Sequence, residues 1–268
     1  MKAKRSASLA AIGLAGALAI SSLTTAQDTA PDPLPELGTI LEPGRYVSNL
    51  VGPSIDLRVD SGWVVGVSGN GPIFTLESLE APGAVLSVTR FDGETFLDSC
   101  DPTSMSLVEA SVPRLTEIIG GNPFLSAGPP DVIEVDGYTG LRLDVGVPRY
   151  APEECALPYL LLWAIPVGSG GEYVQVADQQ SRFVILDVDG DVIVMAIESL
   201  PGVPFGGFLE ASMEVLESMR IEPGEYEPLP DPAPAATQPP SEAEPGASAS
   251  PEASDVAAAS AGEAGTSA

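Results

Sequence analysis

Arg182-Phe-Val-Ile-Leu-Asp-Val-Asp-Gly-Asp-Val-Ile-Val-Met-Ala-Ile-Glu-Ser199 decides the fold. Two apolar, β-branched runs flank Asp189-Gly190, and a two-residue type I′ turn needs a positive φ at both central positions, which this pair tolerates. The turn sets the register. Val188 faces Asp191, Leu186 faces Ile193 and Val184 faces Met195 on one side of the ribbon. Phe183/Ala196, Ile185/Val194 and Asp187/Val192 face each other on the other. Away from the turn both faces are apolar, so another layer must cover each of them.

Outward from this hairpin, the preceding sequence is rich in short strands bounded by Gly, Pro, Asn or Asp. They are Arg45–Ser48, Ile55–Val59, Gly62–Val67, Ile73–Leu76 and Ala84–Arg90, with Asn70-Gly71 marking a turn. The period then changes: Val112, Leu115, Ile118 and Ile119 share one helical face, Ser111 is placed to cap it and Gly120-Gly121-Asn122-Pro123 stops it. A second Asp-Gly pair, Asp136-Gly137, joins Val132–Val135 to Tyr138–Val145 as another hairpin. An apolar run from Leu157 to Ile165 and a strand at Tyr173–Val176 follow. Phe205 to Met219 closes the domain as a helix with Phe208, Leu209, Met213, Val215, Leu216 and Met219 inward and Glu210, Glu214 and Glu217 outward. Leu41-Glu-Pro-Gly-Arg-Tyr46 and Ile221-Glu-Pro-Gly-Glu-Tyr226 share a pattern without flanking similarity, which reads as two similar turns.

The fold class expected is α+β: an antiparallel β-sheet with two or more packed α-helices, an α/β/α sandwich being one such arrangement. Lys2, Lys4 and Arg5, an apolar run from Leu9 to Leu23 and Thr24-Thr25-Ala26 have the form of a signal peptide over residues 1–26. A Pro-rich leader is expected over 27–36, one folded domain over 37–226, and an acidic, disordered Pro/Ala/Ser-rich tail over 227–268. The run is too short and Gly-rich for a membrane span, no Cys follows it for a lipid anchor, and the expected location is extracytoplasmic, secreted or periplasmic/cell-surface associated. Cys100 and Cys155 are expected to pair as a disulfide, contributing roughly 3–4 kcal/mol in the chain-entropy model.

The chain has 268 residues and a formal net charge of −27. Three of its 11 basic residues lie in the signal, which leaves eight, all Arg, against 38 acids. That balance argues against nucleic acid and anionic membrane surfaces as partners. There is no His, and no Lys after residue 4. Ser-His-Asp and Cys-His catalysis, most zinc sites, Schiff bases and a Walker lysine are thereby excluded. Gly66-Val-Ser-Gly-Asn70 lacks the last Gly of a nucleophile elbow, and Gly69-Asn-Gly71-Pro72 is followed by a strand where a dinucleotide site needs a helix.

Carboxylates, Tyr, Arg and hydroxyls remain. Asp187, Asp189 and Asp191 with Glu198 fit four positions of an EF-hand loop, but Val192 stands where Gly is required, so a solvated hairpin end is expected. Asp92, Glu94, Asp98 and Asp101 form a second acidic group. No catalytic residue, metal site or cofactor is assigned. Trp63, Tyr150, Tyr159, Trp163 and Tyr173 are the candidate binding surface, since aromatic faces suit sugar or peptide contacts. The region closed by the disulfide, between Asp101 and Pro152, is the expected place for a functional loop.

Gly62-Trp63, the Arg182–Ser199 hairpin and Phe208-Leu-Glu-Ala-Ser-Met-Glu-Val-Leu-Glu-Ser-Met219 follow an order that resembles the Mog1/PsbP-like proteins. The late segment also looks like uncharacterised exported bacterial proteins with an acidic Pro/Ala-rich tail. The resemblance implies a sheet held between helices, a late hairpin leading into a closing helix, and a binding or accessory role with no catalytic residues to carry over. The Cys pair and the loop it closes lie outside that pattern. The function expected is an exported, non-catalytic binding or interaction module for an envelope glycan or a protein. The alternatives are a carboxylate-dependent hydrolase of an envelope or extracellular polymer, and a structural envelope protein without a small ligand.

Overall fold

A computed structural model describes residues 30–66, 72–149, 155, 157–165 and 171–224. The expected signal peptide, the acidic tail, the Asn70-Gly71 turn and Tyr150 lie outside these residues. The chain divides between Leu229 and Pro230, and every described residue belongs to the first unit.

The hairpin forms as its sequence dictates, from β15 (Gln180–Val188) and β16 (Asp191–Ser199). Asp189 and Gly190 have φ of 53° and 99°, and the pairs Val188/Asp191, Leu186/Ile193 and Val184/Met195 stand opposite each other. Asp187 Oδ1 accepts the Gly190 N–H at 2.8 Å, tying the turn to the strand that enters it. Asp136 and Gly137 repeat the turn with φ of 48° and 84°, joining β11 (Asp131–Val135) to β12 (Tyr138–Gly146).

The hairpin lies at the centre of a sheet whose described pairings are all antiparallel. On one side β15 pairs with β12, which also takes β10 (Ser126–Ala127) and β11. On the other, β16 pairs with β7 (Ala84–Phe91), followed by β6 (Ile73–Ser78), β5 (Trp63–Val65) and β2 (Ile40–Leu41). Gly140 sits where β12 crosses β15, and a Cβ there would run into the Ile185 carbonyl.

Each face of this sheet takes one helix and one small sheet. Val184, Leu186, Ile193, Met195 and Ile197 pack with Phe208, Val215 and Leu216 of α2 (Phe205–Ser218). The same cluster includes Ile55, Leu57 and Val59 of β4 (Ser54–Val59), which lies between β3 (Gly44–Ser48) and β17 (Arg220–Glu222). On the opposite face Phe183, Ile185, Val194 and Ala196 pack with Val112, Leu115 and Ile119 of α1 (Val112–Gly120). Trp163 of β13 (Leu160–Ile165) and Tyr173 of β14 (Gly171–Gln175) complete that cluster, and β13 also pairs with β8 (Glu94–Phe96), itself paired with β9 (Met105–Leu107). The period-2 alternation of one hairpin thus organises both cores. The described fold is α+β but dominated by strand, with one helix and one small sheet against each face of the central sheet.

Three local expectations change. The leader is not wholly a linker: Asp32-Pro33 forms β1, a parallel strand on Tyr46-Val47, and Leu34 donates its N–H to the Val47 carbonyl at 2.8 Å. Ser111 sits at the N-cap of α1 but its side chain makes no capping bond, Pro113 occupying the first turn instead. The first Glu-Pro-Gly phrase leads into β3 and the second ends β17, the two strands that lie on either side of β4.

Candidate functional site

The disulfide builds the site. Cys100 and Cys155 are joined across 55 residues with their Cα atoms 4.9 Å apart, and they pack on Val147, Leu160, Phe124 and Leu125. This corner holds the segment after β8 against the segment after α1. Asn122 completes the join: its Nδ2 donates to Ser99 Oγ at 2.7 Å while its Oδ1 accepts the Phe124 N–H at 2.9 Å. Asp98 Oδ1 accepts the Cys100 N–H at 2.9 Å and so fixes the bend before the disulfide.

Between these segments lies a cleft of about 570 Å³. Phe96, Leu97, Ile118, Pro123 and Phe124 supply its apolar wall, and Asp98, Ser99, Arg114, Glu117 and Asn122 its polar groups. Arg114 Nη1 meets Glu117 Oε2 at 2.6 Å on the exposed side of α1. The size and the mixed lining, apolar and polar in equal measure, suit a small polar ligand or the side chains of a larger one. The lining residues 114–124 fall within the region between Asp101 and Pro152, where a functional loop is expected, and Ile118 reaches the cleft because it is the one apolar residue of the α1 stripe left half-buried.

The aromatic surface is not assembled as the sequence suggests. Trp63 is 5% exposed and packs on Phe208 with ring centroids 5.7 Å apart, bordering a smaller recess of about 300 Å³ with Arg58, Asp60 and Glu214. Trp163 is fully buried and stacks on Tyr173 at 4.0 Å. These three rings point inward because they lie on strands whose inner faces form the two cores. Tyr159 is half-buried just before β13, and Tyr150 lies outside the described residues.

Glu198, which the sequence offers only as the last position of an incomplete EF-hand loop, lies deep beside this stack. Glu198 is 8% exposed, and its Oε1 accepts bonds from Gln175 Nε2 at 2.9 Å, Gln179 Nε2 at 2.8 Å and Ser181 Oγ at 3.2 Å. The Tyr173 hydroxyl is near enough for each group to perturb the other, yet makes no well-formed hydrogen bond. Burial holds the Glu198 pKa above the ordinary carboxylate value, outweighing the bonds that lower it. Burial and then the Glu198 charge likewise raise the Tyr173 pKa well above normal. This arrangement is a closed interior network: one carboxylate oxygen already receives three donors. The only signal for it in the sequence is an acid ending a strand that is otherwise apolar on both faces.

The acidic groups of the sequence have structural partners. Asp191 pairs with Arg90 at 3.1 Å, and Asp101 Oδ1 accepts the Thr103 hydroxyl at 2.6 Å and its N–H at 2.8 Å, lowering the Asp101 pKa. Among the described residues no group of three or more His, Cys, Asp or Glu could hold a metal ion. No helix among them is long and apolar enough to cross a membrane.

No family model and no curated protein matches the chain. Solved structures do. One is the solution structure of cyanobacterial PsbP (CyanoP) from Synechocystis sp. PCC 6803, 13% identical, covering 71% of this chain and 99% of that one at a TM-score of 0.36. Another is LpqN, described as involved in cell envelope biogenesis of Mycobacterium tuberculosis, 14% identical, covering 72% of this chain and 90% of that one at a TM-score of 0.31. A third is a protein of Bacteroides thetaiotaomicron, 9% identical over 62% of this chain at a TM-score of 0.34, of which the chain spans 44%. The PsbP-like resemblance read from the sequence is thus met by a PsbP among the similar structures.

Proposed function

We propose that this chain is an exported, non-catalytic binding module whose ligand site is the cleft between α1 and the Phe96–Ser99 segment. The carrying observation is the cleft itself, about 570 Å³ with apolar and polar side chains in its lining, its two walls joined by the Asn122–Ser99 bond and the disulfide packed beside them. A covalent brace beside a partly apolar cleft favours binding, because the site keeps its shape without a ligand and less ordering entropy opposes association. The disulfide and the signal-like N-terminus support an extracytoplasmic location. The described cleft residues include no nucleophile–base pair, and their two carboxyls, Asp98 and Glu117, are exposed, which favours recognition over hydrolysis.

A thermal-shift panel of envelope glycans and short peptides on the mature chain tests this reading. At saturating ligand, one class is expected to raise the midpoint, and Ile118→Asp, placing a charge in the apolar wall, is expected to abolish the gain while leaving the unliganded midpoint within a few degrees. The reading fails if no class stabilises the protein, or if the gain survives in Ile118→Asp.

A further inference from the structure

β9 is the outermost strand of its sheet: among the described residues it pairs with β8 alone. The pairing register shows which backbone groups remain open. Leu97 donates to the Ser104 carbonyl and Val108 donates to the Gly93 carbonyl, so Ser104, Ser106 and Val108 hydrogen-bond inward. By the alternation of an antiparallel ladder, the N–H and C=O groups of Met105 and Leu107 point away from β8.

The side chains of the same two residues are also exposed, Met105 by 53% and Leu107 by 75%, and Leu97 beside the strand is 66% exposed. Met105 stands opposite Phe96, a wall residue of the cleft, so the apolar face of β9 continues that wall. Of the devices that protect open edges, β9 has only its shortness: among the described residues it shows no Lys, Pro, bulge or covering segment. Its surroundings are acidic: Asp92, Glu94, Asp98 and Glu109 are exposed, while Arg90 is engaged by Asp92 and Asp191.

We propose that the open edge of β9 is a strand-addition site for an extended segment of a partner protein in which apolar and basic side chains alternate. The inference rests on the binding-module reading and names the partner class for it. The added strand bonds to the backbone of Met105 and Leu107, its apolar side chains on their face cover those two residues, and its basic ones are drawn by the surrounding negative charge. Because β9 is short, its two outward residues offer few backbone bonds. The exposed apolar side chains and the charge must therefore supply most of the discrimination. The chain's own C-terminal stretch, residues 227–268, has no basic residue and is repelled by the rim. A second copy would bring the same acids against it.

The test uses isotopically labelled mature protein, amide hydrogen exchange and three probes: a short peptide alternating Val and Lys, its Val/Glu counterpart, and the protein alone at high concentration. The expected result is protection of the Met105 and Leu107 amides by the Val/Lys peptide only. Leu107→Pro, which removes an outward N–H without touching the inward bonds, is expected to weaken binding about tenfold while the circular dichroism is unchanged. Leu107→Lys, which keeps the backbone intact, is expected to weaken it as well. Val/Lys binding that perturbs Ile118 and Phe124 but leaves β9 unprotected overturns strand addition and leaves the cleft reading standing. Protection at β9 by concentration alone assigns the edge to a second copy and overturns the proposal. No perturbation at either place overturns it too, and the glycan arm of the thermal-shift panel then decides the cleft reading separately.

Discussion

Glu198 shows how one residue couples burial to pH. The folded chain holds its proton more tightly than the unfolded chain, because burial raises the pKa above the ordinary value of 4.5. The stabilisation this gives is complete below that ordinary value and is lost as pH rises through the folded one. Glu198→Gln keeps an acceptor toward Gln175, Gln179 and Ser181 and cannot ionise. Denaturant unfolding of both proteins from pH 4 upward is expected to show the wild type losing stability relative to the variant, with the gap widening through the window and then constant. A constant gap throughout would mean that Glu198 does not titrate there. Glu198→Ala is expected to cost about 3 kcal/mol at low pH, since it strands buried donors, and less as pH rises through the folded pKa, because the wild type itself then loses stability. Trp163 and Tyr173 carry the complementary lesson. An aromatic on a strand has the same identity whether it faces solvent or core, and only the second sheet lying over β15 and β16 turned these two inward.

At the scale of elements, the two Asp-Gly hairpins were fully legible, register included, because turn chemistry is local and the period of two then assigns every side chain to a face. Both helices were legible from their stripes for the same reason. The order of strands was not, since β7 meets β16 across about a hundred residues and no local signal encodes that partner. The cleft was legible only as a region: its two walls come from segments distant in sequence that one Asn–Ser bond joins, beside the disulfide. β1 was missed because Asp and Pro disfavour strands, although an edge position tolerates a Pro. Deleting residues 27–36 is accordingly expected to cost about 1–2 kcal/mol, through lost bonds to β3 and lost packing of Leu34. Equal denaturation midpoints for the chains beginning at 27 and at 37 would show that β1 adds nothing to the domain.

The whole molecule joins a preformed core to a cross-linked rim. The central sheet and its two apolar clusters derive from one hairpin that needs no covalent help, whereas the cleft corner has only a small cluster around Val147 and Leu160 beneath it. A disulfide closing a loop of 55 residues contributes about 4 kcal/mol in the chain-entropy model, and here it acts on the part of the fold with least apolar burial. Replacing both Cys100 and Cys155 by Ser is therefore expected to lower global stability by about that amount and to do so unevenly. Amides of Ser99, Asn122 and Phe124 should exchange by local opening, while those of Val184, Ile185, Val194 and Met195 still require global unfolding. Ligand capture at the cleft should weaken more than the midpoint alone predicts, because the brace that sets its shape is gone. Uniform acceleration of exchange across cleft and hairpin would contradict this division, and would mean that the disulfide stabilises the domain as one unit with no special hold on the binding site.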